Sequence, residues 1–130
     1  MEFPSELKYS KTHEWIRIEK KKEAVIGITD YAQQELGDIV YLELPEENEQ
    51  IEKDGAFGVI ESTKATEDLY SPISGRVLEV NTPLQDSPEV INEDPYVDGW
   101  MLRLEVSNLK DLEELLSAEQ YQKYLEEISE

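Results

Sequence analysis

Apolar residues in this chain arrive in short bursts, each closed off by Gly, Pro or a polar turn, and that rhythm leaves room for little but β-strands. Trp15, Arg17 and Glu19 interleave with Ile16, Ile18 and Lys20. A polar turn, residues 20–23, follows, and then Ala24-Val25-Ile26-Gly27-Ile28; together they read as a hairpin. Residues 39–44 predict a strand ended by Pro45, and residues 46–50 a polar acidic loop. Residues 56–62 and 65–70 read as two strands with almost nothing between them, and residues 75–80 and 100–106 as two more. The stretch 81–99, with prolines at 83, 88 and 95, reads as turns.

Two places break the strand rhythm. Thr29-Asp30 has the form of a helix start, residues 31–36 a short helix, and Gly37 its left-handed stop. Late in the chain Leu109, Leu112, Leu115 and Leu116 fall at helical spacing. Ser117 and Gln120 then form a capping box ahead of Tyr121, Tyr124, Leu125 and Ile128. The expected plan is a single domain over residues 1–130, with a β core at about 14–106 and a helical segment at about 108–128. A chain of 130 residues suits one core, and no Pro-, Gly-, Ser- or Ala-rich linker interrupts it.

An internal repeat refines the architecture. Gly37-Asp-Ile-Val-Tyr-Leu-Glu-Leu resembles Gly75-Arg-Val-Leu-Glu-Val-Asn, and Gly55-Ala-Phe-Gly-Val-Ile-Glu resembles Gly99-Trp-Met-Leu-Arg-Leu-Glu. Two copies of a strand pair predict two similar antiparallel sheets stacked as a sandwich or flattened barrel.

The side chains available limit the chemistry. There is no cysteine, and His13 is the only histidine. A thiolate nucleophile, a disulfide and a Cys/His zinc site are all excluded, and a hydrolase or metalloenzyme is poorly supported. Redox chemistry would need an attached group. Lys plus Arg is 12 against 31 Asp plus Glu, a net charge of −19 that a duplex or an anionic bilayer would repel. We therefore expect no nucleic-acid and no membrane partner. The first residues lack the basic and apolar regions of a signal peptide, so a cytoplasmic location is expected.

Between Asp54 and Leu109 the only basic residues are Lys64, Arg76 and Arg103. Lys64 falls where one strand must reverse into the next, and a hairpin tip carries its side chain into solvent. An exposed lysine in a turn is most often an ordinary solvated residue. Yet neither Thr63 nor Lys64 favours the positive φ of a tight hairpin turn, which argues that the tip is fixed by another need.

Residues 61–75, Glu-Ser-Thr-Lys-Ala-Thr-Glu-Asp-Leu-Tyr-Ser-Pro-Ile-Ser-Gly, closely resemble the lipoyl-lysine region of the glycine cleavage system H proteins. Thr12-His13-Glu14-Trp15 resembles that family's N-terminal signature, and residues 26–32, 36–45, 80–81, 91–92, 95–96 and 98–101 match in order. The resemblance covers about residues 7 to 125. It implies a mainly β, lipoyl-type barrel-sandwich hybrid with terminal helical additions. It implies lipoic acid in amide linkage to Lys64, and a carrier that serves as substrate of partner enzymes, with no catalytic residues of its own. Those partners would be a pyridoxal-phosphate glycine decarboxylase (P protein), a tetrahydrofolate-dependent aminomethyltransferase (T protein), a flavin dihydrolipoamide dehydrogenase (L protein), and a lipoate ligase or lipoyl transferase. By position, Thr12, Glu14 and Asp68 would cradle the aminomethyl end of the arm. Taken as residues alone, Glu14 and Asp68 are more simply part of a solvated acidic face, His13 a packed and hydrogen-bonded histidine, and Trp15 and Trp100 core residues.

Other readings stay open at this stage. A biotin carrier shares the fold, but its acceptor usually lies between methionines, where this chain has Thr63 and Ala65. A lipoyl domain of a 2-oxo acid dehydrogenase would lead into a Pro/Ala linker. An H-like lipoate carrier in sulfur oxidation or lipoyl relay would have the same anchor. An unmodified acidic module could dock a basic partner.

Overall fold

The computed structural model describes residues 1–20 and 22–129. Lys21, in the expected hairpin turn, lies outside the described residues. Strands β1 (Lys8–Tyr9), β2 (Glu14–Ile18) and β3 (Glu23–Ile28) precede helix α1 (Asp30–Leu36). Then come β4 (Ile39–Glu43), β5 (Gln50–Ile51), β6 (Ala56–Ser62), β7 (Thr66–Tyr70) and β8 (Gly75–Val80). Helices α2 (Thr82–Asp86) and α3 (Val90–Glu93) lead to β9 (Leu102–Val106), a 3-10 turn (Leu109–Glu114) and α4 (Ala118–Ile128). The large sheet runs β1-β2-β3-β9-β8-β5 and the small one β4-β6-β7, with every pairing antiparallel.

The repeat maps onto this topology. Its first copy supplies β4 and β6, which pair in the small sheet, and its second supplies β8 and β9, which pair in the large one. The sheets are unequal because β1–β3 and β5 extend only the second. Ile16, Ile26, Val77 and Leu104 from the large sheet meet Leu42, Ile60 and Leu69 from the small one in the main core.

The first hairpin is less simply alternating than its sequence suggests. Glu14, Trp15 and Ile16 are all buried. Side chains of successive strand residues point to opposite faces, so β2 must be covered on both. Trp15 and Val25 face a second cluster with Tyr9, Tyr121 and Leu125, built by β1 and α4 against the back of the sheet. The indole lies flat on Gly27, where a Cβ would sit 2.6 Å from its carbons. Its Nε1 donates to the Pro95 carbonyl at 2.9 Å.

Helix α1 forms as its caps predict. Thr29 accepts from the Ala32 N–H at 3.1 Å, and Gly37 ends the helix at φ 82°. The stretch 81–99 is not all turn. Pro83 stands in the first turn of α2, where its missing N–H costs nothing, and α3 follows. Those two helices guard the exposed edge of β4. Asn92 accepts from the Ile39 N–H at 2.9 Å and Gln85 from the Leu44 N–H at 3.0 Å. The strand expected over 100–106 begins at Leu102, and the one expected over 65–70 at Thr66. The leucine spacing after Leu109 folds as a 3-10 turn rather than an α-helix.

Candidate functional site

The β6–β7 turn needs no residue at positive φ. Outside glycine, positive φ falls only at His13, Asn48 and Asp54 among the described residues. The Ser62 hydroxyl instead accepts from the N–H groups of Lys64 and Ala65, each at 3.1 Å. The Ser62 N–H donates to the Ala65 carbonyl, and the Thr63 N–H to the Asp38 carbonyl at 3.0 Å. A serine turn thus supplies the rigidity that the tip residues do not.

Lys64 is exposed, and among the described residues no ion pair holds it. Its aliphatic stem passes over Gly37, where a Cβ would lie 3.1 Å from Cε. The α1–β4 turn below is fixed by Asn92, which donates to the Gly37 carbonyl at 2.9 Å and to the Gln33 side chain at 3.0 Å.

Beside this tip opens a cleft of about 330 Å³ between α1 and β7, beginning at Ala65. Its apolar floor is Ile28, Leu36, Ile60 and Leu69, and acids from both walls, Glu35, Glu67 and Asp68, line it. Thr12, His13 and Glu14 complete it. The structure therefore brings together all three residues expected to cradle the arm, in one cleft next to Lys64. Thr12 and Asp68 are exposed, whereas Glu14 is only 2% exposed, so the reading of Glu14 as a solvated surface acid is wrong.

Burial drives the Glu14 carboxyl up from 4.5 to about 7, against hydrogen bonds that favour the charged form. Those bonds come from the hydroxyls of Thr12 and Ser10, the latter at 2.7 Å, and from the Tyr70 backbone. Ser10 was not singled out in the sequence, yet it holds Glu14 at three points. Besides the carboxylate contact, its hydroxyl accepts from the Glu14 N–H at 3.0 Å, and its own N–H donates to the Glu14 carbonyl at 3.0 Å. The available signal was a hydroxyl four residues ahead of the acid. His13 packs as expected, its Nδ1 2.9 Å from the Tyr121 hydroxyl, and burial lowers its pKa.

The site offers an accessible amine on a rigid tip and, next to it, an apolar trough ending in a buried carboxyl. It can anchor a long group and receive that group's cationic end. Among the described residues no group of three or more His, Asp or Glu side chains is placed to hold a metal, and no helix is long and apolar enough to cross a membrane.

Comparison with known proteins gives a consistent result. The family model described as glycine cleavage H-protein matches residues 7–128. A glycine cleavage system H protein of Anaeromyxobacter sp. (strain K) is 54% identical over 127 residues, covering 98% of each chain. One from Staphylococcus epidermidis is likewise 54% identical, covering 98% of this chain and all of the relative. The crystal structure of a glycine cleavage system H protein from Mycobacterium marinum superposes with a TM-score of 0.85 at 35% identity, covering 98% of this chain and 99% of that one.

Proposed function

The chain belongs to the glycine cleavage H-protein family and acts in glycine cleavage as a lipoate carrier, and we propose that Lys64 bears the lipoyl group while the neighbouring cleft receives its loaded end. The observation that carries the assignment is the exposed Lys64 amine, in no ion pair among the described residues, on a turn locked by Ser62 and adjoining the cleft at Ala65. Lipoate held there in amide linkage supplies the dithiol that this cysteine-free chain lacks, able to take the aminomethyl group of glycine from the decarboxylase and to yield it to the aminomethyltransferase. The protein itself is a carrier and a substrate of those enzymes, of the dihydrolipoamide dehydrogenase that restores the disulfide, and of the ligase or transferase that attaches lipoate.

The chain's own residues do three things. Ser62 and the Asp38 carbonyl hold the anchor still, so that a flexible arm starts from a fixed point and reaches a docked enzyme at high local concentration. Amide formation removes the Lys64 charge, which frees the arm from its acidic surroundings. Glu14, supported by Thr12 and with Asp68 on the cleft wall, offers a carboxylate to a primary ammonium by a charge-assisted hydrogen bond.

Intact mass of the protein from its native host tests the anchor. One lipoyl group per chain is expected, and Lys64→Arg should abolish it. A wholly unmodified native chain overturns the reading. Reconstitution of the lipoylated protein with glycine decarboxylase should give lipoyl-dependent exchange of carbon dioxide, and Glu14→Ala should leave lipoylation intact while shortening the life of the loaded form.

A further inference from the structure

The surroundings of Glu14 raise a question that the cradle alone does not answer: what balances its charge before a cation arrives. The acid is buried, and the titratable groups on the facing walls of the cleft are three carboxyls and a phenol. Helix α1 contributes Tyr31 and Glu35, and β7 contributes Glu67 and Asp68. On its own turn, His13 is spent on the Tyr121 hydroxyl of α4, and burial lowers its pKa. Behind Ser10 and Thr12, Lys53 is paired with Glu114 beside Asp54, and Lys11 lies over the Tyr124 ring. Lys64 at the mouth loses its charge once it is an amide. Among the described residues no free cation lines the cleft to stabilise a Glu14 carboxylate.

We infer that capture at this cleft is an exchange of cations: Glu14 stands as the neutral acid in the unloaded carrier, and gives its proton to solvent as the primary ammonium of the loaded arm seats against it. The inference rests on the cradle reading above. The balance is simple, since a carboxylic acid and an ammonium become a carboxylate–ammonium pair and one released proton.

The geometry serves both states. Hydroxyl protons rotate freely, so Ser10 and Thr12 can donate to the carboxylate or turn to accept from the acid. The Ser10 oxygen also keeps the Glu14 N–H in either case, and the two hydroxyls lie 3.3 Å apart, close enough to satisfy each other. The side chain therefore need not move when its charge changes. Burial drives the carboxyl up to about 7, which sets the balance point near neutrality.

The consequence is a hold on the arm that tightens with pH. With a midpoint of about 7, the ionised fraction falls about tenfold from about pH 8 to about pH 6, and retention falls with it. Acid neighbours on a surface carboxylate would give no such dependence in that window.

Carboxyl-carbon NMR of the lipoylated protein, labelled at glutamate, tests this, before and after loading with glycine and the decarboxylase. In the unloaded form the Glu14 carbon should titrate near neutrality, apart from the other glutamates. Loading should lower its proton affinity at least tenfold. An ordinary low midpoint in the unloaded form overturns the exchange, and leaves the cradle standing if loading still perturbs Glu14. A midpoint near neutrality that loading does not change overturns both. In parallel, Glu14→Gln should give a loaded form whose lifetime no longer varies between about pH 6 and about pH 8; a wild-type dependence retained in that variant also overturns the proposal.

Discussion

Glu14→Gln should make the unmodified protein more stable above neutral pH and change it little in acid. The carboxyl is raised from an ordinary 4.5 to about 7 in the folded chain. Below the unfolded value both states hold the proton, and acid and amide are nearly equivalent. Between the two values the unfolded chain releases its proton while the folded chain keeps it, so stability falls as pH rises. Above about 7 both are ionised and the full cost is present. Each pKa unit is worth about 1.4 kcal/mol, so the whole shift corresponds to about 3 kcal/mol. Between about pH 5 and about pH 8 the gap between variant and parent should widen by roughly 2 to 3 kcal/mol, or about 10 °C in Tm at this chain length. The other thirty of the chain's 31 acids also titrate and alter its stability, but they are common to both proteins and cancel in the difference. Urea unfolding read by the fluorescence of Trp15, fully buried in the folded state, measures it. A gap that stays constant across that range would show that Glu14 ionises as readily in the fold as outside it, and the burial argument would fail. A stabilising substitution at a residue proposed to serve the carrier is the expected sign of a functional site.

Two further perturbations probe the scaffold. Gly27→Ala should cost about 1–3 kcal/mol or more by urea unfolding, because its Cβ would enter the indole of a Trp15 already tied to Pro95, with no room to shift; an unchanged midpoint would mean the hairpin is looser than described. Asn92→Ala should release the Ile39 N–H, the Gly37 carbonyl and the Gln33 side chain at once, costing about 1–3 kcal/mol. Amide exchange should accelerate locally at Ile39, with exchange that is unaltered there counting against the clip.

The features legible in the sequence were those whose physics is local. Thr29 and Gly37 bracket α1, and Ser117 with Gln120 opens α4 through a capping box, because caps act within three or four residues. The reversal at Lys64 was legible for the same reason. What escaped depends on distant partners. Strand β1 is two residues long and exists because it pairs with β2, Lys8 opposite Ile16 and Tyr9 opposite Trp15, while Tyr9 and Leu116 exchange backbone hydrogen bonds, each 2.8 Å, on its other side. Strand β5, placed by pairing with β8, looked like the end of an acidic loop. Prolines 83 and 88 read as turn punctuation, though Pro83 equally suits a helix start. The burial of Glu14 is likewise non-local. It comes from α1 and β7 closing over residues 10–14, and although the resemblance around residues 12–15 marks the position, no local pattern shows that this acid is buried.

That closure explains why a carrier has ordered terminal segments at all. The tip needs neither terminus, since Ser62 and Asp38 hold it. The cleft needs both. Strand β1 leads directly into Ser10, Thr12 and Glu14, and its Tyr9 ring stacks on Tyr121 of α4 with centroids 4.9 Å apart. The Tyr121 hydroxyl then bridges the two walls, 2.9 Å from His13 Nδ1 on one side and 2.8 Å from the Thr29 hydroxyl on the other. Thr29 is the N-cap of α1, so one phenol sets both the turn that carries Glu14 and the start of the helix that faces it. Burial excludes water from these bonds and makes the spacing of the walls stiff. The proposed anchor and cradle are therefore separable devices: a local serine turn fixes the tip that carries Lys64, and the packed termini fix the cleft beside it.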